Sequence, residues 1–309
     1  MGDLILHIGS HKTGTTSIQK ALRTALKQTD RNDPVYINVR QNGRMTNTAD
    51  EGPAFRGILR AKHAENVLTP QKTTAIASDE GMFWLNDPED IRALRDIVVP
   101  RFGHVKILCY LRRQDLLASS HRRQVIGNKP ASRFYGVNDT PLPVYQPHFQ
   151  SYFDYAAKLQ LWADAFGKEN VTVVPFETAS LRDGDVVADF AHRTGAKFAS
   201  AGWKNTSYDG NATYLGLKLS DLGLKDARID RILDRVEGSS PFVPTKDEAR
   251  AFLAHFADAN DRLARDWGLE FDMSFDRYPD SADHRWSNAD VDAMLNALLA
   301  ELKKNKNPS

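Results

Sequence analysis

The sequence predicts an α/β fold: a central parallel β-sheet flanked by helices, then a mostly helical C-terminal section. Two observations carry this, namely four short apolar runs with little polar alternation and the amphipathic stretches between them. Runs of that size suit strands covered on both faces, as in a parallel sheet. Strands alternating with helices make βαβ units. The first run is Leu4–Ile8 (LILHI), bounded by Gly9, after which Ile18, Leu22 and Leu26 recur every fourth residue and mark a helix. The second run is Thr73–Ala77, and Ile91, Leu94, Ile97 and Val98 mark the helix after it. The third, Val105–Leu111 (VKILCYL), is rich in branched residues. Gly127–Pro147 is dense in Pro, Asn, Gly and Asp and reads as one long loop. Phe153, Ala157 and Leu161 then mark a helix ending near Gly167, and the fourth run is Val171–Pro175.

The last third reads as helices. Tyr214–Val236 carries apolar stripes (Leu215, Leu219, Leu222; Ile229, Ile232, Leu233). Thr245 followed by Glu248 forms a capping box that opens a helix through Leu263. Ser287 caps a final helix whose apolar face holds Val291, Met294, Leu295 and Leu298. The expected organisation is a single domain over 1–309, with an α/β core over 1–210 and a helical section over 211–309.

Composition excludes several function classes. A chain of 309 residues buries a core without staples, and its single cysteine, Cys109, fits neither a disulfide scaffold nor a cysteine zinc site. No run approaches the roughly 18 apolar residues of a membrane span. The N-terminus shows no basic region leading into an apolar stretch, which makes a cytoplasmic setting the expectation. A net charge of +1 argues against bulk nucleic-acid binding. No His/Asp/Glu spacing suggests a metal site, and nothing signals an oligomeric state.

The most informative stretch is Gly9-Ser-His-Lys12-Thr-Gly14-Thr-Thr-Ser17-Ile-Gln, directly after the first strand. A strand entering a small-residue turn that becomes a helix at once aims backbone N–H groups and a helix dipole at one point, an anion site. The hydroxyls of Thr13, Thr15, Thr16 and Ser17 add donors. Gly9 and Gly14 are spaced as in the nucleotide-triphosphate loop, but Thr15 stands where that loop has its lysine, and the lysine has moved ahead to Lys12. No strand ends in an obvious magnesium-holding Asp, although Asp79 closely follows the second. The loop therefore reads as built for a phosphate-like group handled without metal.

Lys12-Thr13-Gly14-Thr15-Thr16 resembles the K-x-G-T-[ST] 5′-phosphosulfate loop of P-loop sulfotransferases that use 3′-phosphoadenosine 5′-phosphosulfate (PAPS), and the form HIGSHKTGTTSIQ is most similar to their bacterial branch. The family's second signature sets an arginine at a strand end and a serine eight residues on; here Arg112 ends the third run and Ser120 follows at that spacing. An arginine leaving a strand offers a planar donor fork to a phosphate. Gln114 stands where the family often has Pro, and Ser119 adjoins Ser120. The stretch Val171–Leu181 resembles the family's later strand and acidic turn, and Lys204 falls where a late loop often approaches the 3′-phosphate. Arg122, Arg123 and Arg133 belong to a basic run that could face an anionic acceptor.

The resemblance implies transfer of a sulfuryl group from PAPS to a hydroxyl or amine acceptor, a glycan, glycolipid or small molecule, with Lys12 neutralising the leaving phosphate oxygen. It implies Lys12, Thr13, Gly14, Thr15, Thr16, Ser17, Arg112 and Ser120 as cofactor contacts. Glu80, just after the second strand in S-D-E-G, is the candidate base, with Asp79 or a histidine as alternatives, and His11 in the loop could meet the substrate. His7 reads as a packed core imidazole, and His121, which follows Ser120, reads equally as a helix-surface residue or as one of the site. Two other classes stay open: a small-molecule kinase using ATP and magnesium, and a non-catalytic nucleotide binder.

Overall fold

The computed structural model describes residues 1–25, 34–40, 43–52, 54–127, 130–197, 210–223, 227–236, 241–282 and 287–306. Cα packing divides the chain into two compact units. Met1–Arg113, His148–Trp203 and Phe256–Asp272 make the first, and Gln114–Pro147, Lys204–His255 and Met273–Ser309 the second.

The first unit holds a five-stranded parallel sheet made of β1 (Leu4–His7), β2 (Val35–Ile37), β5 (Ala75–Ser78), β6 (Val105–Leu111) and β7 (Val171–Pro175), in the order β2-β5-β1-β6-β7. An antiparallel hairpin, β3 (Thr46–Glu51) and β4 (Ala54–Leu59), lies beside it in sequence. On one face of the sheet, Ile5, Ile76, Leu108, Tyr110 and Val174 form a core with Ile18 and Leu22 of α1 (Thr15–Ala25) and Val186, Val187 and Phe190 of α8 (Val186–Thr194). Strand period two turns Leu4, Leu6, Ile107 and Cys109 to the other face, where α7 (Tyr155–Phe166) packs on β6 and β7 and in turn meets α3 (Pro88–Val98) and α12 (Ala257–Trp267). Short helices α2 (Ala61–Val67) and α6 (Gln150–Phe153) complete the unit. Burying each of these aliphatic side chains is worth about 1.5–3 kcal/mol, so both faces contribute and the all-apolar strand pattern is accounted for.

Because the strands are parallel, all their C-terminal ends reach one edge. There lie Arg40 after β2, the loop Gly9–Gly14 after β1, Asp79 and Glu80 after β5, Arg112 after β6 and Phe176 after β7. Ligands of open α/β sheets bind outside this edge.

The second unit is helical among its described residues: α4 (Gln114–His121), α5 (Pro130–Tyr135), α9 (Gly210–Asp221), α10 (Ala227–Leu233), α11 (Lys246–Ala254) and α13 (Asn288–Lys306), with 3₁₀ turns. Helix α9 packs on α10 and α13. Among the described residues, no helix is long and apolar enough to cross a membrane.

The α/β class and four of the strands stand as expected, but several details differ. The second run starts at Ala75 rather than Thr73. The sequence reading missed β2, a strand of only three residues, and both strands of the hairpin, β4 and the polar β3. The Gly127–Pro147 stretch contains α5. The Thr245 box caps α11 as read, but that helix stops at Ala254 and α12 restarts at Ala257. Helix α13 buries Asp290, Met294, Ala297 and Glu301 and leaves Val291 and Leu295 exposed. The reason is polar pairing inside: Asp290 accepts from Asn211 Nδ2 at 2.7 Å, and Glu301 accepts from Arg231 and Arg235 at 3.0 and 3.1 Å. Leu26 and Lys204 lie outside the described residues.

Candidate active site

The loop after β1 is held by its own backbone and by β6. Ser10 donates from both N and Oγ to the Tyr110 carbonyl, at 3.2 and 3.0 Å, continuing the ladder past the strand end. Thr13 Oγ1 donates to the Ser10 carbonyl at 2.6 Å and closes the turn, so toward a ligand this residue has its amide to offer. Two residues adopt left-handed backbone, Lys12 (φ +60°) and Gly14 (φ +76°). The lysine is the costly one, since a side chain in this region costs about 1–2 kcal/mol. Gly14 O then accepts from Ser17 N and Ile18 N, which fixes the first turn of α1. The first N–H groups of a helix have no intrahelical acceptor, and these open on the loop.

Thr15 Oγ1 is buried in that first turn without a hydrogen-bond partner. A buried hydroxyl left unpaired costs free energy that a ligand oxygen would recover. Ser17 is also buried, Thr16 is exposed, and Lys12 is half-buried. Hydroxyl, amides, helix dipole and ammonium form the donor set an anion such as a phosphate requires. The loop therefore fits the 5′-phosphosulfate end of the donor that the sequence resemblance implies.

Arg112 follows β6 and turns to the same loop. Its Nη1 donates to the Lys12 carbonyl at 3.2 Å, its guanidinium lies 5.9 Å from the Phe176 ring centre, and its own carbonyl accepts from Tyr155 Oη at 2.8 Å. Ser120 belongs to the second unit, where its Oγ donates to the Leu116 carbonyl at 2.8 Å. In that unit Arg122 is buried and bonded to the carbonyls of Thr140, Gly136 and Asn138, so it fastens the 136–140 segment instead of facing an acceptor. His121 is likewise buried, with Nδ1 on Tyr135 Oη at 2.6 Å, and is not a helix-surface residue.

On the other side of β1, Glu80 opens the 3₁₀ turn Glu80–Trp84. Asp79 caps that turn by accepting from Gly81 N at 3.0 Å, and Lys158 Nζ pins its far end by donating to Phe83 O at 2.9 Å and to Asn86 Oδ1. Burial pushes the Lys158 ammonium down to about 7. Glu80 itself receives Arg40 Nη2 on Oε1 at 2.7 Å and Gln19 Nε2 on Oε2 at 3.0 Å. Burial pushes its carboxyl up, but Arg40 and then His11 outweigh burial and hold it below the usual carboxylate range. Asp79 goes the other way, because its deeper burial exceeds the pull of the Gly81 amide and Arg40. Glu80 is thus ionised and partly open where Asp79 is a structural cap.

His11 sits in the loop with Nδ1 2.8 Å from Tyr152 Oη, and its backbone N donates to the same oxygen at 3.2 Å. Burial lowers it to about 4 despite Glu80, so its imidazole is neutral at pH 7. His7 is the core residue expected: fully buried, Nδ1 on Ser78 Oγ at 2.9 Å, edge-on to Tyr110 and Phe190. No group of three or more His, Cys, Asp or Glu able to hold a metal occurs among the described residues.

No family model matches the chain. Over 176 residues, 52% of the chain, it is 27% identical to an uncharacterized protein of Archaeoglobus fulgidus, and it covers 45% of that protein, under half its length. It is also similar to a solved sulfotransferase from Alicyclobacillus acidocaldarius, at 19% identity and a TM-score of 0.42, over 86% of this chain and 96% of that one.

Four residues of the site escaped the sequence reading: Gln19, Arg40, Tyr152 and Lys158. Gln19 carries a signal in hindsight, standing four residues after Thr15 and so one turn along the same helix. Arg40 has none, because it follows a three-residue strand. Tyr152 and Lys158 reach the edge from α6 and α7, 141 residues from His11 and 75 from Phe83, their respective partners.

Proposed function

We propose that this protein is a sulfotransferase that takes a sulfuryl group from PAPS and passes it to a hydroxyl or amine of a glycan, glycolipid or small molecule. The observation that carries the reading is the buried, unpartnered Thr15 Oγ1 at the head of α1, in a loop whose sequence is the K-x-G-T-[ST] pattern. The amides of Thr13–Thr16, with Thr15, Ser17 and Lys12, would hold the 5′-phosphate, and Arg112 the 3′-phosphate. The donor supplies an activated sulfuryl group. Lys12 would set positive charge beside the leaving oxygen as negative charge gathers there, an electrostatic effect worth most where the group is already in place. Glu80, ionised and with an unused lone pair, would take the acceptor's proton at a carboxylate oxygen. The neutral His11 imidazole would meet the acceptor from the loop.

The test is isothermal titration of the protein with adenosine 3′,5′-bisphosphate, with ATP plus magnesium as comparison. Tight binding of the bisphosphate without metal is expected. Binding of ATP–magnesium alone would replace this reading with a kinase.

A further inference from the structure

Resting on Glu80 as the base in that reading, we propose that Arg40 and Gln19 are positioning residues, which together fix the Glu80 carboxylate in one orientation and keep it ionised beside the phosphate loop. Each carboxylate oxygen has its own donor, Arg40 Nη2 on Oε1 at 2.7 Å and Gln19 Nε2 on Oε2 at 3.0 Å. Rotating the carboxylate about its axis would break both bonds. A carboxylate has roughly four lone-pair sites; with Arg40, Gln19 and the residue's own backbone N–H bonded to it, one stays free for an incoming acceptor hydroxyl. The two donors come from different places. Arg40 leaves the end of β2 and also reaches Asp79 Oδ1, more loosely, at 3.4 Å. Gln19 belongs to α1, is buried, and also donates to the Ser78 carbonyl at 3.2 Å. The helix that opens on the phosphate loop in its first turn is therefore bonded to the base in its second.

The ionised state follows from the groups that face Glu80. From β2 and its end come Arg40 and Tyr36, from the loop His11, from β1 His7, from β5 Asp79, and from α6 Tyr152. Burial pushes His7 and His11 down to about 4, so both are neutral at pH 7, and burial raises both tyrosine hydroxyls. Arg40 is thus the permanent cation of the set. It is the group whose loss would leave Glu80 with burial and Asp79 acting against ionisation.

The test reads the Glu80 carboxyl in the unliganded full-length protein by ¹³C NMR titration, with its signal assigned by the Glu80→Gln variant. Removing the charge in Arg40→Gln should raise the midpoint by about one pH unit or more, since a neighbouring guanidinium lowers a carboxyl by about 1–3. The acidic limb of kcat/KM should move to higher pH by the same amount. Arg40→Lys should restore most of the midpoint. Gln19→Leu should raise it by less and lower plateau kcat about tenfold with the donor KM unchanged, an effect a merely structural glutamine would not confine to kcat. An unmoved midpoint in folded Arg40→Gln overturns the proposal. If that variant does not fold, an unmoved midpoint and kcat in Gln19→Leu overturn it instead. A Glu80→Gln enzyme that keeps the acidic limb overturns the base assignment itself, which is a different failure and is read from a different protein.

Discussion

Replacing Gly14 by alanine should cost more than the same change at an ordinary loop glycine, and the structure sets the size of the loss. Gly14 has φ +76°, where an L side chain costs about 1–2 kcal/mol. An added Cβ would also lie 2.5 Å from Val186 Cγ1, with Phe176 Cε2 at 3.6 Å. Val186 is 8% exposed and belongs to the core under α1 and α8, so it has little room to yield. Overpacking of that kind costs about 1–3 kcal/mol, for a total of about 2–5 kcal/mol in a molecule whose whole stability is of order 5–15 kcal/mol. Urea unfolding of Gly14→Ala, Val186→Ala and the double variant separates the two costs. Val186→Ala removes Cγ1 and with it the overlap, while the backbone cost remains. The double variant should therefore be more stable than the sum of the singles predicts, by about 1–3 kcal/mol. Additivity within about 0.5 kcal/mol, or a loss below about 1 kcal/mol in Gly14→Ala, would refute the claim that α8 closes the loop at this glycine.

Lys12→Ala should lower kcat by about a hundredfold or more and leave the denaturation midpoint close to wild type, because the left-handed backbone at φ +60° is as unfavourable for alanine as for lysine; near-wild-type turnover would remove Lys12 from the chemistry. His7 gives a pH signature. Burial sets its native value at about 4 against 6.5, so between those values the unfolded chain binds the extra proton and stability falls as pH falls. The stability of wild type relative to His7→Gln should drop by up to about 3 kcal/mol from pH 7 to pH 4, and a flat difference in chemical unfolding across that range would contradict a neutral buried imidazole.

Three of the strands that the sequence made visible are buried almost throughout on both faces, and the fourth, the edge strand β7, showed through its branched residues although Thr172 is exposed. Leu4–His7 and Val105–Leu111 are continuous apolar runs because helices cover the sheet on both sides. The edge strand β2 has three residues, too few for any period to show, and β3 (TNTADE) has an apolar residue only at Ala49. The final helix misled for the opposite reason. Its buried stripe contains Asp290 and Glu301, whose charges are met by Asn211, Arg231 and Arg235, and a polarity pattern cannot reveal partners on other helices. The turn from β1 into α1 was legible because its residues are contiguous. The environment of Glu80 was not, since it joins His11 and Gln19 of that stretch to Arg40, which follows another strand, and Glu80 itself follows a third.

Sheet order bears on how an acid can work beside an anion site. β1 lies between β5 and β6, so the loop after β1 has the Glu80 carboxylate on one flank and the Arg112 guanidinium on the other. A phosphate held in the loop would be repelled by Glu80; two like charges about 4 Å apart interact by roughly 4 kcal/mol at an effective dielectric of 20. The repulsion would raise the carboxyl's proton affinity or weaken the ligand. Arg40, bonded to Glu80 at 2.7 Å, offsets that charge without removing its lone pairs. The far flank needs no such screen, because Arg112 attracts the same anion. For the proposed sulfotransferase this arrangement would give the site a direction, with the anionic donor drawn toward β6 and the acceptor hydroxyl toward β5. On this argument Arg40→Gln should weaken the bisphosphate only above the raised Glu80 midpoint, where the unscreened carboxylate is ionised, and leave binding untouched below it.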